Sequence, residues 1–204
     1  MKMRTIPLVA AVLASLLTST GCAPTTIRDQ VAKGGAGELG NLGKTILVAK
    51  VDLPPASTDR MEKSGRIVSL AGKALEGVPG VEVLPAEVLL SSLQGRDPVG
   101  ASDSELAAAA RAAGADTVVV LQVLGYGGEL AVAFPPVYWL VTLDYAYHAR
   151  VIDARSGALY LDAHRGQRSS RAYAVSGKEA LAERFMADFA GLLGDTAGKT
   201  GSGS

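Results

Sequence analysis

The chain has a single cysteine, Cys22, so no intramolecular disulfide can brace the fold. His148 and His164 are its only histidines, and Trp139 is its only tryptophan. Aromatic residues make up just 5% of the sequence. Neither sign of charge is in excess: 20 basic and 20 acidic residues give a formal net charge of 0. A balanced chain offers no basic field, which argues against nucleic acid and against anionic lipid held by charge. The apolar stretch near the start, Ile6 to Leu17, is shorter than the ~20 residues a permanent transmembrane helix needs.

What the first residues do contain is the plan of a secretory signal. Lys2 and Arg4 precede the apolar stretch, and Thr18, Ser19, Thr20 and Gly21 lead into Cys22. Small residues there let a peptidase take the backbone in extended form, and Gly21 leaves room for a lipidated thiol. These residues resemble the lipobox of bacterial lipoproteins. Ser19 departs from it, because the family prefers Leu three residues before the cysteine; Leu17 lies two residues further back. The resemblance implies cleavage before Cys22 and lipid on its thiol, with the chain anchored to a membrane. Two or more acyl chains anchor stably, at ~0.8 kcal/mol per buried methylene. Lipid also masks a thiol that would be a liability in an oxidising space. Ala23, where Asp would signal inner-membrane retention, implies the periplasmic face of the outer membrane. The leader takes two of the 20 basic residues and no acid, so the remainder carries 18 basic against 20 acidic residues, a formal charge of −2.

The sequence divides into a signal peptide (1–21), a flexible tether (22–44), one α/β domain (45–193) and a disordered tail (194–204). Gly34, Gly35, Gly37, Gly40 and Gly43 give the tether its linker character, and the Gly-Ser-Gly-Ser end does the same for the tail. Between them, Ile46–Val51 reads as a strand stopped by Pro54 and Pro55. Asp59 with Glu62 reads as a helix start, and Met61, Val68, Ala71, Ala74 and Leu75 as that helix's apolar face. Gly77 and Pro79 end the helix, and Val81–Leu84 is a second strand. A short helix over Glu87–Leu93 follows. Ser102 and Glu105 then form a capping box for an alanine-rich helix ending at Gly114. Thr117–Leu124 is apolar on both sides, as a central strand is. Val141–Asp153 alternates, with Val141, Leu143, Tyr145, Tyr147, Ala149 and Val151 on one face. A turn at Asp153–Gly157 returns the chain through Ala158–Gln167. Ser176 and Glu179 open a last helix that buries Leu181, Phe185, Phe189 and Leu192. The order β-α-β-α-α-β-β-β-α makes an α/β (α+β) sandwich, a mixed sheet with a C-terminal β-hairpin packed by about four helices.

The run Ala112-Ala113-Gly114-Ala115-Asp116 entering a strand resembles a broad group of envelope proteins, as does Arg150-Val151-Ile152-Asp153 followed by Ser156-Gly157-Ala158-Leu159. The group includes the curli secretion channel subunit, the N-terminal domain of the Tol propeller protein, and lipoprotein activators of penicillin-binding proteins. The resemblance spans residues 45–193 and rests on scaffold signals, so it speaks for fold more than for function. It implies a non-enzymatic role in assembling, regulating or connecting envelope machinery.

Several motifs suggest chemistry. Gly35–Gly40 spells G-x-G-x-x-G but precedes a strand and lies in the tether, so it reads as linker. Gly-Lys-Thr at 43–45 and at 198–200 lacks the spacing of a phosphate loop, and both copies read as linker too. His148 and His164 come together across the Asp153–Gly157 turn beside Asp144 or Asp162, a set able to hold zinc. Two solvated strand residues explain the same pattern, and the sequence alone assigns no metal and no cofactor. No nucleophile-elbow motif is present, and Ser169 and Ser176 sit where loops and caps want them, so no catalytic residue is assigned.

The most unusual segment is Leu130–Val141, LAVAFPPVYWLV, which carries no charge. Pro135 and Pro136 exclude a continuous helix or a central strand there. The segment is either a loop folded onto the core or an apolar lip whose Phe134, Tyr138 and Trp139 contact a partner. The leading expectation is a non-enzymatic adaptor or regulator that binds an envelope protein through this segment. The alternatives are a homo-oligomeric subunit of an outer-membrane secretion channel, for which 126–147 supplies at most one hairpin, and a metal-dependent enzyme.

Overall fold

The β-branched run that begins at Thr117 becomes the middle of a six-stranded sheet, buried on both faces from Thr117 to Leu121. In a computed structural model of the chain, residues 25–32, 41–54, 59–134, 138–172 and 178–197 are described. The strands are β1 (Thr25–Ala32), β2 (Gly43–Val51), β3 (Val81–Leu84), β4 (Thr117–Ala133), β5 (Tyr138–Asp153) and β6 (Leu159–Ala172). The helices are α1 (Arg60–Glu76), α2 (Ala86–Ser92), α3 (Asp103–Ala112) and α4 (Lys178–Ala197). The sheet order is β1-β6-β5-β4-β2-β3. β2 runs parallel to β3 and β4, whereas β4, β5, β6 and β1 are antiparallel neighbours. The expected mixed sheet with about four helices and a hairpin after β5 is what the described residues form.

Alternation along the strands feeds two cores. Leu47, Ala49, Val119, Leu121, Val123, Tyr145, Tyr147 and Val151 face the layer of α1 and α4. Ile46, Val48, Val118, Val120 and Ile152 face α2 and α3. The first core is centred on Phe185, whose ring meets Tyr126, Tyr145 and Tyr147 edge-on at 5.7–5.9 Å. Such edge contacts place positive ring edges on negative faces. Among the described residues no helix is long and apolar enough to cross a membrane.

Local signals behave as their chemistry requires in three places. Ser102 and Glu105 form a reciprocal capping box at the start of α3. Gly114 after α3 and Gly157 in the β5–β6 turn both take positive φ, 75° and 74°. Asp153 accepts the Ser156 and Arg155 backbone amides and so fixes that turn.

Other expectations are corrected. Asp59 precedes α1 in a left-handed conformation (φ 57°), and its side chain makes no capping bond, so the Asp59–Glu62 box does not form. The buried face of α1 is Ile67, Ala71, Ala74 and Leu75; Met61 is 90% exposed and Val68 is exposed as well. The period-seven spacing of Met61, Val68 and Leu75 drifts off a single face of a 3.6-residue helix, and Ile67 takes the inward position instead. Part of the expected tether, Thr25–Ala32, is strand β1, paired with β6 along its length. Its glycine-free, β-branched sequence suits an edge strand, and the glycines that suggested a linker all follow it. Gly43-Lys44-Thr45 opens β2 rather than lying in a linker. Thr45 is buried, and its hydroxyl and that of its cross-strand partner Thr117 both donate to the Leu42 carbonyl. Helix α4 continues to Ala197, three residues past the expected start of the tail at Gly194. Cys22, the Gly35–Gly40 run, Ser176 and the Gly-Lys-Thr at 198–200 lie outside the described residues.

Candidate functional site

Of segment 130–141, the described residues 130–133 and 138–141 are paired strand and not a loop folded on the core. β4 and β5 stay paired from Thr117↔Asp153 to Ala133↔Tyr138, so these residues form the far end of one long antiparallel pair. Pro135 and Pro136 lie outside the described residues. Register shifts by one residue between Val123 and Gly125, which leaves Leu124 as the extra residue of a bulge. The shift sets which side chains face where. Below the bulge, odd-numbered Val119, Leu121 and Val123 face α1 and α4. Above it, even-numbered Tyr126, Gly128, Leu130 and Val132 oppose Tyr145, Leu143, Val141 and Trp139 on that same side.

The apolar face therefore continues past the helices that cover it. Tyr126 is still packed against Phe185, and Val141 borders the core. Further out, Leu130 is 62% exposed and Phe134 75%, with Val132 also exposed; Tyr138, next to Trp139 on β5, is exposed on the opposite face. Trp139 is half-buried. Of the three expected contact residues, Phe134 and Tyr138 thus lie open to solvent while Trp139 is partly covered. Leu130 and Val132 share the face of Trp139 and not that of Tyr138, and the bulge that aligns them leaves no signal in the sequence. At the root of this face the Tyr126 hydroxyl is buried with no hydrogen-bond partner among the described residues. Burial raises its pKa above the ordinary tyrosine value, the Arg66 charge working against this.

The opposite side of the same strands carries polar chemistry. His148 on β5 lies directly across from His164 on β6. Their rings stack, with centroids 3.9 Å apart and planes within 6°. Asp162 shares this face, two residues before His164, and its Oδ1 lies 2.5 Å from His148 Nε2. Ligand atoms of all three side chains lie within 4.8 Å of one another. Asp144, the other expected carboxylate, is not in this group; it opposes Arg168 four rungs away. Ser169, weighed as a nucleophile, is buried and accepts a hydrogen bond from Arg184 at 2.6 Å.

The chain matches no protein-family model, and no curated protein matches it. Solved structures do resemble it. They include the PelC dodecamer from Paraburkholderia phytofirmans, at 18% identity over 87% of this chain and 100% of that one, with a TM-score of 0.46. Lipoprotein GNA1162 from Neisseria meningitidis is similar at 18% identity, over 72% of this chain and 94% of that one, with a TM-score of 0.45. The LpoB C-terminal domain from Salmonella enterica follows at 15% identity, over 66% of this chain and 85% of that one, with a TM-score of 0.38. Bacterial lipoproteins are thus among the solved structures to which this chain is similar, the class that its leader residues resemble.

Proposed function

We propose that the chain is a bacterial lipoprotein held by Cys22 to the periplasmic face of the outer membrane, and that it works without catalysis as an adaptor or regulator of an envelope protein. The observation that carries the adaptor reading is the uncovered apolar face of the β4–β5 arm. Leu130, Val132 and Phe134 present large apolar side chains to water at the end of the β4 arm, Leu130 and Val132 on the side of Trp139. A contiguous patch of this kind is a contact surface more often than scattered exposed residues are. The strands fix these side chains beforehand, so docking loses little conformational freedom. The unpaired Tyr126 hydroxyl at the root of the face would gain from an acceptor that a partner brings, since a buried hydroxyl without one costs ~1–3 kcal/mol.

The test compares envelope proteins that co-purify with the native chain and with a Leu130→Asp/Val132→Asp variant. Loss of one specific envelope protein with the fold intact supports docking. An unchanged set of partners contradicts it.

A second reading, the homo-oligomeric subunit, is favoured by the sheet edges. β2 pairs β4 only as far as Val51↔Val123, so residues 125–133 of β4 pair with β5 alone among the described strands. β1 is the other edge of the sheet. Two open edges on opposite sides of one sheet suit head-to-tail pairing between copies, which closes into a ring when the rotation allows. Sedimentation of the detergent-solubilised protein separates the readings: a monomer excludes the ring.

A further inference from the structure

The layer of α2 and α3 covers only part of its sheet face, packing on Ile46, Val48, Val118, Val120 and Ile152. Above it the face lies open, and the first residues met there are His148, half-buried, and His164, exposed. Arg150 marks the boundary. It lies opposite Asp162 across the strands, yet its guanidinium turns to the helical layer, donating to Asp103 at 2.8 Å and to the Val99 carbonyl at 3.0 Å. The Asp162 carboxylate therefore meets His148 instead of the neighbouring cation. Gln122, opposite His148 on the other side, is likewise occupied, donating to Asp52 at 2.8 Å.

We propose that His148, Asp162 and His164 form a binding site for a divalent transition-metal ion of the zinc class. Two imidazoles and one carboxylate are borderline-to-hard ligands that suit Zn2+, with Cu2+ and Ni2+ as chemical competitors. The strand backbones already bring the three groups together: a direct cross-strand pair supplies the imidazoles, and the i, i+2 relation of Asp162 and His164 puts the carboxylate on the same face. Zinc bonds of ~2.0–2.2 Å place tetrahedral ligand atoms about 3.3 Å apart, so groups now within 4.8 Å close on the ion by side-chain rotation alone. A ligated ion lies near the plane of each ring that binds it, and parallel rings cannot both meet that condition. Coordination therefore swings His164, the more exposed ring, out of the stack. Water from the open face fills the remaining position, the pattern of a three-ligand site. This site is separate from the apolar face of the hairpin and stands or falls independently of docking there.

The test is calorimetric titration of the full chain with Zn2+, with any affinity tag removed and Cys22 alkylated so that its thiol cannot contribute. The expected result is saturable binding of a single ion per chain, weakened roughly 10–100-fold or more by His164→Gln or Asp162→Asn. Co2+ in place of Zn2+ should give the visible absorption of a low-coordinate site, absent in a His148→Gln/His164→Gln variant. Zn2+ should also raise the Tm of the native chain and leave that of the double variant unchanged, a readout that also reports whether the variant is folded. Absence of saturable binding, or binding that survives in the folded double variant, would overturn the site and leave a stacked histidine pair with a hydrogen-bonded aspartate.

Discussion

The Tyr147 hydroxyl, buried at the centre of β5, donates to Asp188 of α4 at 2.8 Å. Arg165 of β6 reaches the other Asp188 oxygen at 2.7 Å and turns its remaining donors to Asp29 of β1. One carboxylate thus ties the last helix to two strands, and through Arg165 to the edge strand. Tyr147→Phe should cost about 1 kcal/mol, whereas Asp188→Ala should cost about 2–3 kcal/mol because it leaves two partly buried donors short of an acceptor. Urea unfolding of both variants checks the ranking.

The same tyrosines set an alkaline limit. Burial, reinforced by the Asp188 charge, pushes the Tyr145 and Tyr147 pKa values above that of ordinary tyrosine. A raised folded-state pKa contributes stability that is fully present below the unfolded value of ~10 and lost as pH rises beyond it. Unfolding midpoints should therefore fall above about pH 10, and less steeply in Tyr147→Phe.

Asp116 sets the acid limit. It accepts the Lys44 amide at 3.0 Å and the Arg155 guanidinium at 2.7 Å, joining the start of β2 to the β5–β6 turn. The Lys44 amide first, and then Arg155, hold its carboxyl below the usual aspartate range. Its contribution is therefore complete above the unfolded value of ~3.9 and disappears as pH falls through the lower folded one. Asp116→Asn should flatten the Tm profile below about pH 4. Gly43→Ala should destabilise by ~1–2 kcal/mol at any pH. Its φ is +59°, and a Cβ there would lie 2.7 Å from Asp116 Oδ2.

Two phenylalanines separate core from contact surface. Phe185 is fully buried among tyrosine rings, so Phe185→Ala should cost ~3–5 kcal/mol. Phe134 is 75% exposed, and Phe134→Ala should change stability by no more than about 0.5 kcal/mol. Thermal and urea unfolding decide both.

The proposed lipid anchor at Cys22 has its own test. Cys22→Ser should shift the chain from the membrane fraction to the soluble periplasm and abolish labelling by radioactive palmitate. Unchanged fractionation would remove the lipid from the account.

Strong local chemistry made much of this fold legible in the sequence. The Ser102–Glu105 box, the Gly157 turn and the period-two alternation of β5 each depend on residues close in sequence, and each takes its expected form. What was hidden depends on pairing between distant residues. The bulge at Leu124 shows only in the β4–β5 register, and without it Leu130 and Val132 would be assigned to the opposite face. β1 was hidden because its partner is β6, more than a hundred residues away. Asp162 could be told from Asp144 only once His148 was seen to pair with His164.

Docking of an envelope protein on the apolar face of the hairpin arm can be tested in the cell. The most direct measurement places a photo-crosslinking residue at Phe134 in living cells and identifies what it captures. The expected result is one distinct envelope protein, captured through position 134 and lost when Leu130→Asp and Val132→Asp are added. Capture only of further copies of this chain, or capture that survives those changes, would contradict it.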